Sequence, residues 1–255
     1  MLESLASAFA EISLPQLALI AGMALVASVV GGVAGYGTGA LMPLVLVPIV
    51  GAEPVVPILS ISALLTNTSR TTAFWTFVDG KRALIVLVAA VPTCVLGAWG
   101  YTMLSGKGAA LVIGAMLVAS VPLRRLMRRR GLSLSSRGLA AACFGWGPLA
   151  GGTVGAGIIL LSLLMAAGLE GAAVVATDAV ISIGIGLAKL TTFGLAGAVN
   201  ATVVAIALLI GAVAFPGAFL AKRLIERLPL HVHTAILDAV VIGGGVAMIV
   251  NAFVR

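Results

Sequence analysis

The stretch "GGVAGYGTGALMP", from Gly31 to Pro43, interrupts an apolar run that begins at Leu14. It places five glycines where a helix would finish crossing a bilayer, and glycine weakens the interior of a helix. A second stretch, "GPLAGGTVGAG", from Gly147 to Gly157, interrupts another apolar run in the same way. Each stretch predicts a break inside a hydrophobic segment, and this pair of breaks decides the fold.

The composition indicates a membrane protein. Of the 255 residues, 61% are hydrophobic and only 9% are charged, whereas a soluble domain carries about 25% charged residues. Apolar runs of membrane-spanning length recur from end to end. We therefore predict an all-α polytopic membrane protein with a single transmembrane domain over residues 1–255. The net charge of +7 is expected to orient loops rather than bind nucleic acid, because no basic domain remains to hold it.

Hydrophobic segments divide the chain into short units joined by short loops. The segments are Leu14–Val33, Ala40–Val50, Val55–Phe77, Ala83–Leu104, Ala109–Leu123, Leu139–Trp146, Val154–Leu169, Ala172–Ala198, Ala201–Ala221 and Ala235–Val254. The second and the sixth are well short of the ~17 residues that a spanning helix needs. Because these two adjoin the glycine stretches, we predict helical hairpins that enter the membrane and turn inside it.

The loop cations distinguish two paths of the chain. On the first path each glycine-broken pair returns to the side from which it entered, and the N-terminus lies outside. Among the loop cations, this path leaves only Lys107 and Arg255 outside. On the rival path each broken pair crosses once, which gives eight spans and leaves four cations outside: Lys107, Lys222, Arg223 and Arg227. The positive-inside rule favours the first path.

The favoured path inverts the two halves relative to each other, because each half makes an odd number of crossings. The sequence also supports a repeat: "GTGALMPLVLVPIVGAE" (Gly37–Glu53) resembles "GAGIILLSLLMAAGLE" (Gly155–Glu170), and "RTTAF" (Arg70–Phe74) echoes "KLTTF" (Lys189–Phe193). We predict two inverted-topology repeats, each with a glycine-broken helical hairpin plus three membrane-spanning helices. Such repeats are typical of secondary transporters. The alternative is an ancient duplication whose breaks have no surviving function.

The repeats have definite bounds on this interpretation. Repeat one covers residues 1–123, a basic cytoplasmic linker covers 124–137, and repeat two covers 138–255. The linker is expected to set the topology and to contact anionic membrane lipids. Both the N-terminus and the C-terminus are predicted to be periplasmic.

The broken helices predict an anion site. The start of a half-helix presents backbone N–H donors and the positive end of the helix dipole, and glycine lets a ligand approach the backbone. Thr38 and Thr153 stand where an N-cap residue would stand. The predicted substrate-binding residues of the two breaks are Gly37, Thr38, Gly39, Thr153, Gly155 and Gly157. The alternative role for the glycines is close packing of helices.

Intramembrane charge is the second indication of a site. Arg70, Asp178 and Lys189 lie within long apolar segments, where each costs at least ~2.5–3.5 kcal/mol on insertion scales. Asn67 shares a helical face with Arg70. We assign Asn67, Arg70 and Lys189 to substrate binding and Asp178 to gating or proton coupling. Asp178 could also serve as a partner for Lys189.

On the favoured path Arg70 and Asp178 lie at equal depth, about 10 Å above the cytoplasmic boundary. We predict that they face each other and that the transported anion competes with Asp178 for Arg70. The alternative is that Arg70 extends to the interface and Asp178 caps a helix start without contact.

Several of these motifs are similar to the TauE/SafE family of sulfite and sulfonate exporters. The glycine-rich break followed by an apolar run occurs once per half. "AVVATDAVISIGIGLAKLTTF" (Ala173–Phe193) resembles the family's pattern after the second break, and "ISALLTNTSRTTAFW" (Ile61–Trp75) resembles the corresponding region of the first half. The resemblance covers most of the chain. It implies movement of small organosulfur anions such as sulfite and sulfoacetate across the bacterial inner membrane, in export or in uptake.

The sequence therefore predicts a multi-pass secondary transporter of a small sulfur-containing anion in the bacterial inner membrane. Its expected partners are that anion, protons as a coupling ion, and membrane lipids, with a homodimer among the alternatives for its assembly. No cofactor and no metal site are expected. Two other classes stay open: a passive anion channel, and an integral membrane enzyme, for which the sequence offers few convergent acid and base residues.

Overall fold

The computed structural model describes residues 12–34, 37–129, 133–217, 219–220 and 230–254, and these residues form helices without strands. A short 3₁₀ turn covers Trp75–Phe77. The α-helices are α1 (Leu14–Ala34), α2 (Thr38–Val50), α3 (Val55–Ala73), α4 (Gly80–Thr102), α5 (Gly106–Arg129), α6 (Ser136–Gly152), α7 (Gly157–Ala166), α8 (Ala172–Leu195), α9 (Ala201–Ala214) and α10 (Leu230–Val254). Each corresponds to one predicted hydrophobic segment, so the all-helical class is confirmed.

Three stretches of these helices are long and apolar enough to cross a membrane: Gly80–Thr102, Gly106–Met127 and Ala172–Leu195. Shorter apolar stretches, of 10–17 residues, lie in other helices: Leu14–Val30, Thr38–Val50, Gly157–Ala166, Ala201–Ala214 and Val240–Val254. Large apolar side chains cover the outer face of α4, where Leu84, Val88 and Leu96 are each more than 60% exposed. An apolar outer surface of this kind fits a lipid environment rather than water.

The bounds of several segments differ from the prediction; for example, α9 ends at Ala214 rather than Ala221 and α10 begins at Leu230 rather than Ala235. Helix α6 continues through the second glycine stretch to Gly152, so the predicted short segment Leu139–Trp146 is wrong. Helix α5 continues to Arg129, so the predicted linker 124–137 is helical at its start. Arginine is a good helix former, which is why the helix does not end with the apolar run.

The glycines inside α6 serve close packing. A Cβ at Gly147 would overlap the hydroxyl of Thr93 on α4, and a Cβ at Gly151 would overlap the backbone of Cys94. From the other side, a Cβ at Gly97 on α4 would overlap the backbone of Pro148. Small residues let two helix backbones approach this closely, which is a common device in membranes. For Gly151, packing rather than ligand binding is therefore the observed role.

Paired contacts give the directions of the helices around α8. Helix α3 runs antiparallel to α8, because Ser60 lies against Gly186 while Arg70 contacts Asp178. Helix α4 runs parallel to α8, because the backbone N–H of Asp79 donates to the hydroxyl of Thr177, 3.0 Å away, and Leu87 lies further along against Gly184.

Helices α6 and α7 run antiparallel to each other. The N–H of Leu134, just before α6, donates to the carbonyl of Ala166, the last residue of α7, at 2.7 Å. At the other end only four residues connect the two helices, and the indole N–H of Trp146 donates to the carbonyl of Ala156 at 2.9 Å. Both ends of the pair are thus held together.

Paired contacts also give the directions of α9 and α10. Helix α9 runs parallel to α3, since Leu65 packs on Gly211 and the hydroxyl of Ser69 donates to the carbonyl of Phe215. Helix α10 runs antiparallel to α5, where a Cβ at Gly114 would overlap Ile249 and the ammonium of Lys107 lies 5.2 Å from the ring centre of Phe253.

Candidate functional site

The starts of α2 and α7 meet inside the protein. A Cβ on Gly39, in the first turn of α2, would lie 3.3 Å from the backbone nitrogen of Gly155, just before α7. Gly155 has a φ of 82°, in the left-handed region that favours glycine. The two glycine breaks, which lie in opposite halves of the sequence, are therefore in direct contact.

A cavity of about 160 Å³ opens where these helix starts meet. A single water needs only ~10–15 Å³ of such space, so the cavity can accept a small polyatomic ion. Every residue predicted for substrate binding or gating lines this one cavity: Gly37, Thr38, Gly39, Asn67, Arg70, Thr153, Gly155, Gly157, Asp178 and Lys189. The structure thus brings together residues from α2, α3, α7, α8 and the loop before α7.

The predicted capping role of the two threonines is wrong. The N-cap residue of α2 is Gly37 and that of α7 is Ala156, and neither makes a side-chain capping hydrogen bond. Thr38 is already the first residue of α2. Thr153 instead follows the end of α6, because the left-handed conformation of Gly155 delays the start of α7.

Arg70 and Asp178 form the predicted contact. The guanidinium Nη2 of Arg70 lies 3.0 Å from Oδ2 of Asp178, and Nη1 donates to the amide oxygen of Asn67 at 2.9 Å. Both charged side chains are largely buried, at 12% and 3% exposure. Asn67 therefore holds the guanidinium in place from within α3, while Asp178 binds it from α8.

Lys189 is held by backbone carbonyls. Its ammonium donates to the carbonyl of Ala150 at 3.0 Å and approaches that of Thr153 at 3.4 Å, and the residue is only 7% exposed. These carbonyls belong to the end of α6, where a cation complements the negative end of the helix dipole. Asp178 lies eleven positions earlier on α8, about 16 Å along the helix axis, which is too far for it to be the partner of Lys189.

The charges around the cavity favour an anion. Arg70, Asp178 and Lys189 are the charged residues among the described residues that line it. Two cations and one carboxylate leave an excess of one positive charge. The two helix starts add partial positive charge from their backbone N–H groups.

Some lining residues have no clear sequence signal. Ser28 on α1 and Ser60 on α3 line the cavity, but single serines in apolar helices are common and mostly bond their own backbone. Trp146 also lines the cavity, from within α6. Its indole bond to Ala156 fixes the turn between α6 and α7, and only the fold brings these two residues together.

The family model described as "Sulfite exporter TauE/SafE" matches residues 20–248, which cover nearly the whole chain and all the cavity-lining residues. Comparison with curated proteins and with solved structures found no match.

Proposed function

The chain belongs to the TauE/SafE family of sulfite exporters, and from that premise we propose that it is a secondary transporter that binds a small sulfur-containing anion in the cavity between α2 and α7. Sulfite, sulfoacetate and related organosulfonates are the proposed substrates, and the bacterial inner membrane is the proposed location. The family is one of membrane transporters, so the enzyme alternative is set aside.

One observation carries this proposal: two helix starts converge on a cavity that has an excess of positive charge. An oxyanion there would accept hydrogen bonds from backbone N–H groups of both breaks. Glycine leaves these N–H groups accessible. Gly157 lines the cavity, and a Cβ there would meet no atom within 4 Å, so the space beside its backbone is open. This arrangement resembles the broken helices that bind anionic groups in other secondary transporters.

Arg70 and Lys189 are the proposed cationic contacts. They begin the similar motifs "RTTAF" and "KLTTF", and so occupy corresponding places in the two halves. Arg70 already shares its charge with Asp178. An anion in the cavity would compete with Asp178 for the guanidinium, and this competition is the proposed gating step.

The proposed inverted repeats gain support from the helix directions. When α1–α5 are matched in order with α6–α10, the α3–α8 pair and the α5–α10 pair each correspond to themselves, and the α4–α8 pair corresponds to the α9–α3 pair. All four of these helix pairs are in contact. The contacts of Asp79 with Thr177 and of Leu134 with Ala166 argue against the eight-span path, because that path puts their chain segments near opposite membrane faces. Periplasmic termini and a cytoplasmic basic segment at residues 124–137 follow from the proposed path.

The proposal is tested by flux into proteoliposomes with sulfite, sulfoacetate, taurine, thiosulfate and sulfate. We expect saturable flux of at least one sulfur anion and acceleration by the same anion on the opposite side. Taurine, which is zwitterionic, distinguishes recognition of the sulfonate group from recognition of net charge. Flux that neither saturates nor shows counter-transport would indicate a passive channel, and no flux of any of the five would refute the proposal.

A further inference from the structure

One of the two carboxylate oxygens of Asp178 is buried without a hydrogen-bond partner among the described residues. Asp178 is 2% exposed and lines the cavity. Its Oδ2 bonds Arg70, and its Oδ1 is the oxygen without a partner in the described part of the chain. An ionised carboxylate has two acceptor oxygens, and leaving one of them buried without a donor is costly. An ion pair with a purely structural role would be more stable if both oxygens accepted hydrogen bonds, so the unpaired Oδ1 indicates a different role for Asp178.

A proton on Oδ1 would remove this cost and would change what the cavity offers to an anion. We propose that Asp178 is a proton-binding site and that a proton and the transported anion bind the cavity together. This inference rests on the proposed function, because it assigns the coupling ion of the same site. The step is a proton transfer without redox change: an O–H bond of a hydronium ion breaks as an O–H bond forms on the carboxylate oxygen, and the reverse step releases the proton.

The two protonation states differ in charge and in hydrogen bonding. With Asp178 ionised, Arg70 is shared with a competing carboxylate and the excess charge at the cavity is one. With Asp178 protonated, the excess rises to two, Arg70 is available to the anion, and the new O–H can itself donate. Each ligand therefore raises the affinity for the other, and this coupling must be reciprocal.

The charged groups near α8 favour Asp178 as the titrating residue. Arg70 contacts it from α3, and Lys189 lies about 16 Å further along α8 itself. Asp79 lies close in the fold, but it pairs with Arg82 at the start of α4 and does not line the cavity. The other titratable groups on the elements that pack against α8 are Lys81, Cys94 and Tyr101 on α4 and Arg137 and Cys143 on α6, and α7 contains none.

The test measures sulfoacetate binding to the purified full-length protein from mildly acidic to mildly alkaline pH. Both acid groups of sulfoacetate stay ionised over this range, unlike those of sulfite, so any pH dependence belongs to the protein. For the wild type we expect the affinity to fall about tenfold per pH unit once Asp178 is ionised, as a one-proton linkage requires. Weakly buffered protein should take up about one proton for each anion bound.

Two variants separate Asp178 from other carboxylates. Asp178→Asn keeps the shape without a titrating group, so it should bind sulfoacetate with an affinity that no longer changes with pH and without proton uptake. Asp79→Asn is the matched control, because it neutralises the other described carboxylate–arginine pair, which lies outside the cavity. It should retain the wild-type pH dependence.

The possible outcomes distinguish failure of the proton site from failure of the anion site. Binding by the wild type without pH dependence and without proton uptake would refute the proton site while leaving the proposed anion site intact. A pH dependence that persists in Asp178→Asn would assign the proton to another group. If Asp178→Asn does not fold, the proton uptake of the wild type still decides whether proton and anion bind together. Failure of the wild type to bind sulfoacetate, sulfite and thiosulfate would refute the proposed function, and the inference with it.

Discussion

Arg70 on α3 and Asp178 on α8 lie 108 positions apart in the chain and join through Nη2 and Oδ2 at 3.0 Å. The pair links two antiparallel helices at the edge of the cavity, one from each half of the sequence. Opposite charges at equal depth offset much of each other's desolvation, whereas either alone is costly in this environment. The expected contact between them is thus confirmed.

The pair predicts a charge-swap rescue. Arg70→Asp or Asp178→Arg alone leaves two like charges buried together, and breaking a buried pair typically costs about 3–5 kcal/mol. Each single variant should therefore give little folded protein in membranes. The double swap should restore the yield and the thermal stability in detergent, though not transport. Mild and independent losses from the single changes would mean that the pair contributes little to assembly.

Filling the cavity should stop transport without unfolding the protein. Gly157 lines the cavity and has open space beside its backbone, so the leucine side chain of Gly157→Leu should enter the cavity and the fold should tolerate it. Anion flux should fall to background while the elution profile and Tm stay close to those of the wild type. Gly22→Leu is the matched control, since Gly22 lies on an exposed face of α1 and a Cβ there also meets no atom within 4 Å.

The contrasting substitution is Gly151→Leu. Its side chain would overlap the backbone of α4, so it should reduce the amount of folded protein rather than only its activity. Normal anion flux by the Gly157→Leu variant would mean that the anion binds outside this cavity and that both glycine breaks serve packing alone.

One substitution can separate the observed role of Lys189, capping the end of α6, from its proposed role, binding the anion. In Lys189→Gln a neutral amide can still donate to the carbonyl of Ala150, so the end of α6 should lose only the charge–dipole contribution, about 0.3–1 kcal/mol. A hydrogen bond to a charged group contributes about 1.5–3 kcal/mol, so the KM for the anion should rise about 10- to 100-fold. Lys189→Met removes both roles and should lower Tm as well. An unchanged KM in Lys189→Gln would leave Lys189 as a cap for α6 alone.

Accessibility of single cysteines tests the proposed path. In a background without Cys94 and Cys143, cysteines at Gly80 and Leu228 should be labelled only from the cytoplasmic side. Gly80 is exposed and has space for a side chain, while Leu228 lies outside the described residues. Ser105, between α4 and α5, should be labelled only from the periplasm on either path and serves as the control. Labelling of Gly80 and Leu228 from opposite sides would support the eight-span path and refute the inverted repeats.

The helical content and the Arg70–Asp178 contact could be predicted because they depend on local features. Hydrophobic runs set the places of the helices, since each run must leave water whatever its neighbours are. The depth of Arg70 and Asp178 followed from counting residues to the ends of their segments, and the cost of a lone buried charge then required a partner. The ten residues proposed for the site met in one cavity because the breaks and the buried charges are both incompatible with lipid.

The glycine stretches show where local reasoning fails. Gly147 and Gly151 weaken an isolated helix, which predicted an early break, yet α6 continues to Gly152 because these glycines let it pack directly on α4. The threonines failed as caps for a related reason. A cap needs a particular backbone conformation, and Gly155, at a φ of 82°, sets where α7 begins.

By itself the sequence determined that the chain is a helical membrane protein, that its helices are interrupted twice, and that three charges are buried within them. The sequence left both Arg70 and Lys189 as partners for Asp178, and only the tertiary structure decided between them. Asp178 shares a helical face with Lys189, yet it bonds Arg70 from another helix, while Lys189 bonds the end of α6. The physical reason is distance: eleven residues of helix separate Asp178 from Lys189 by about 16 Å, whereas packing of α3 against α8 brings a carboxylate and a guanidinium within hydrogen-bonding range.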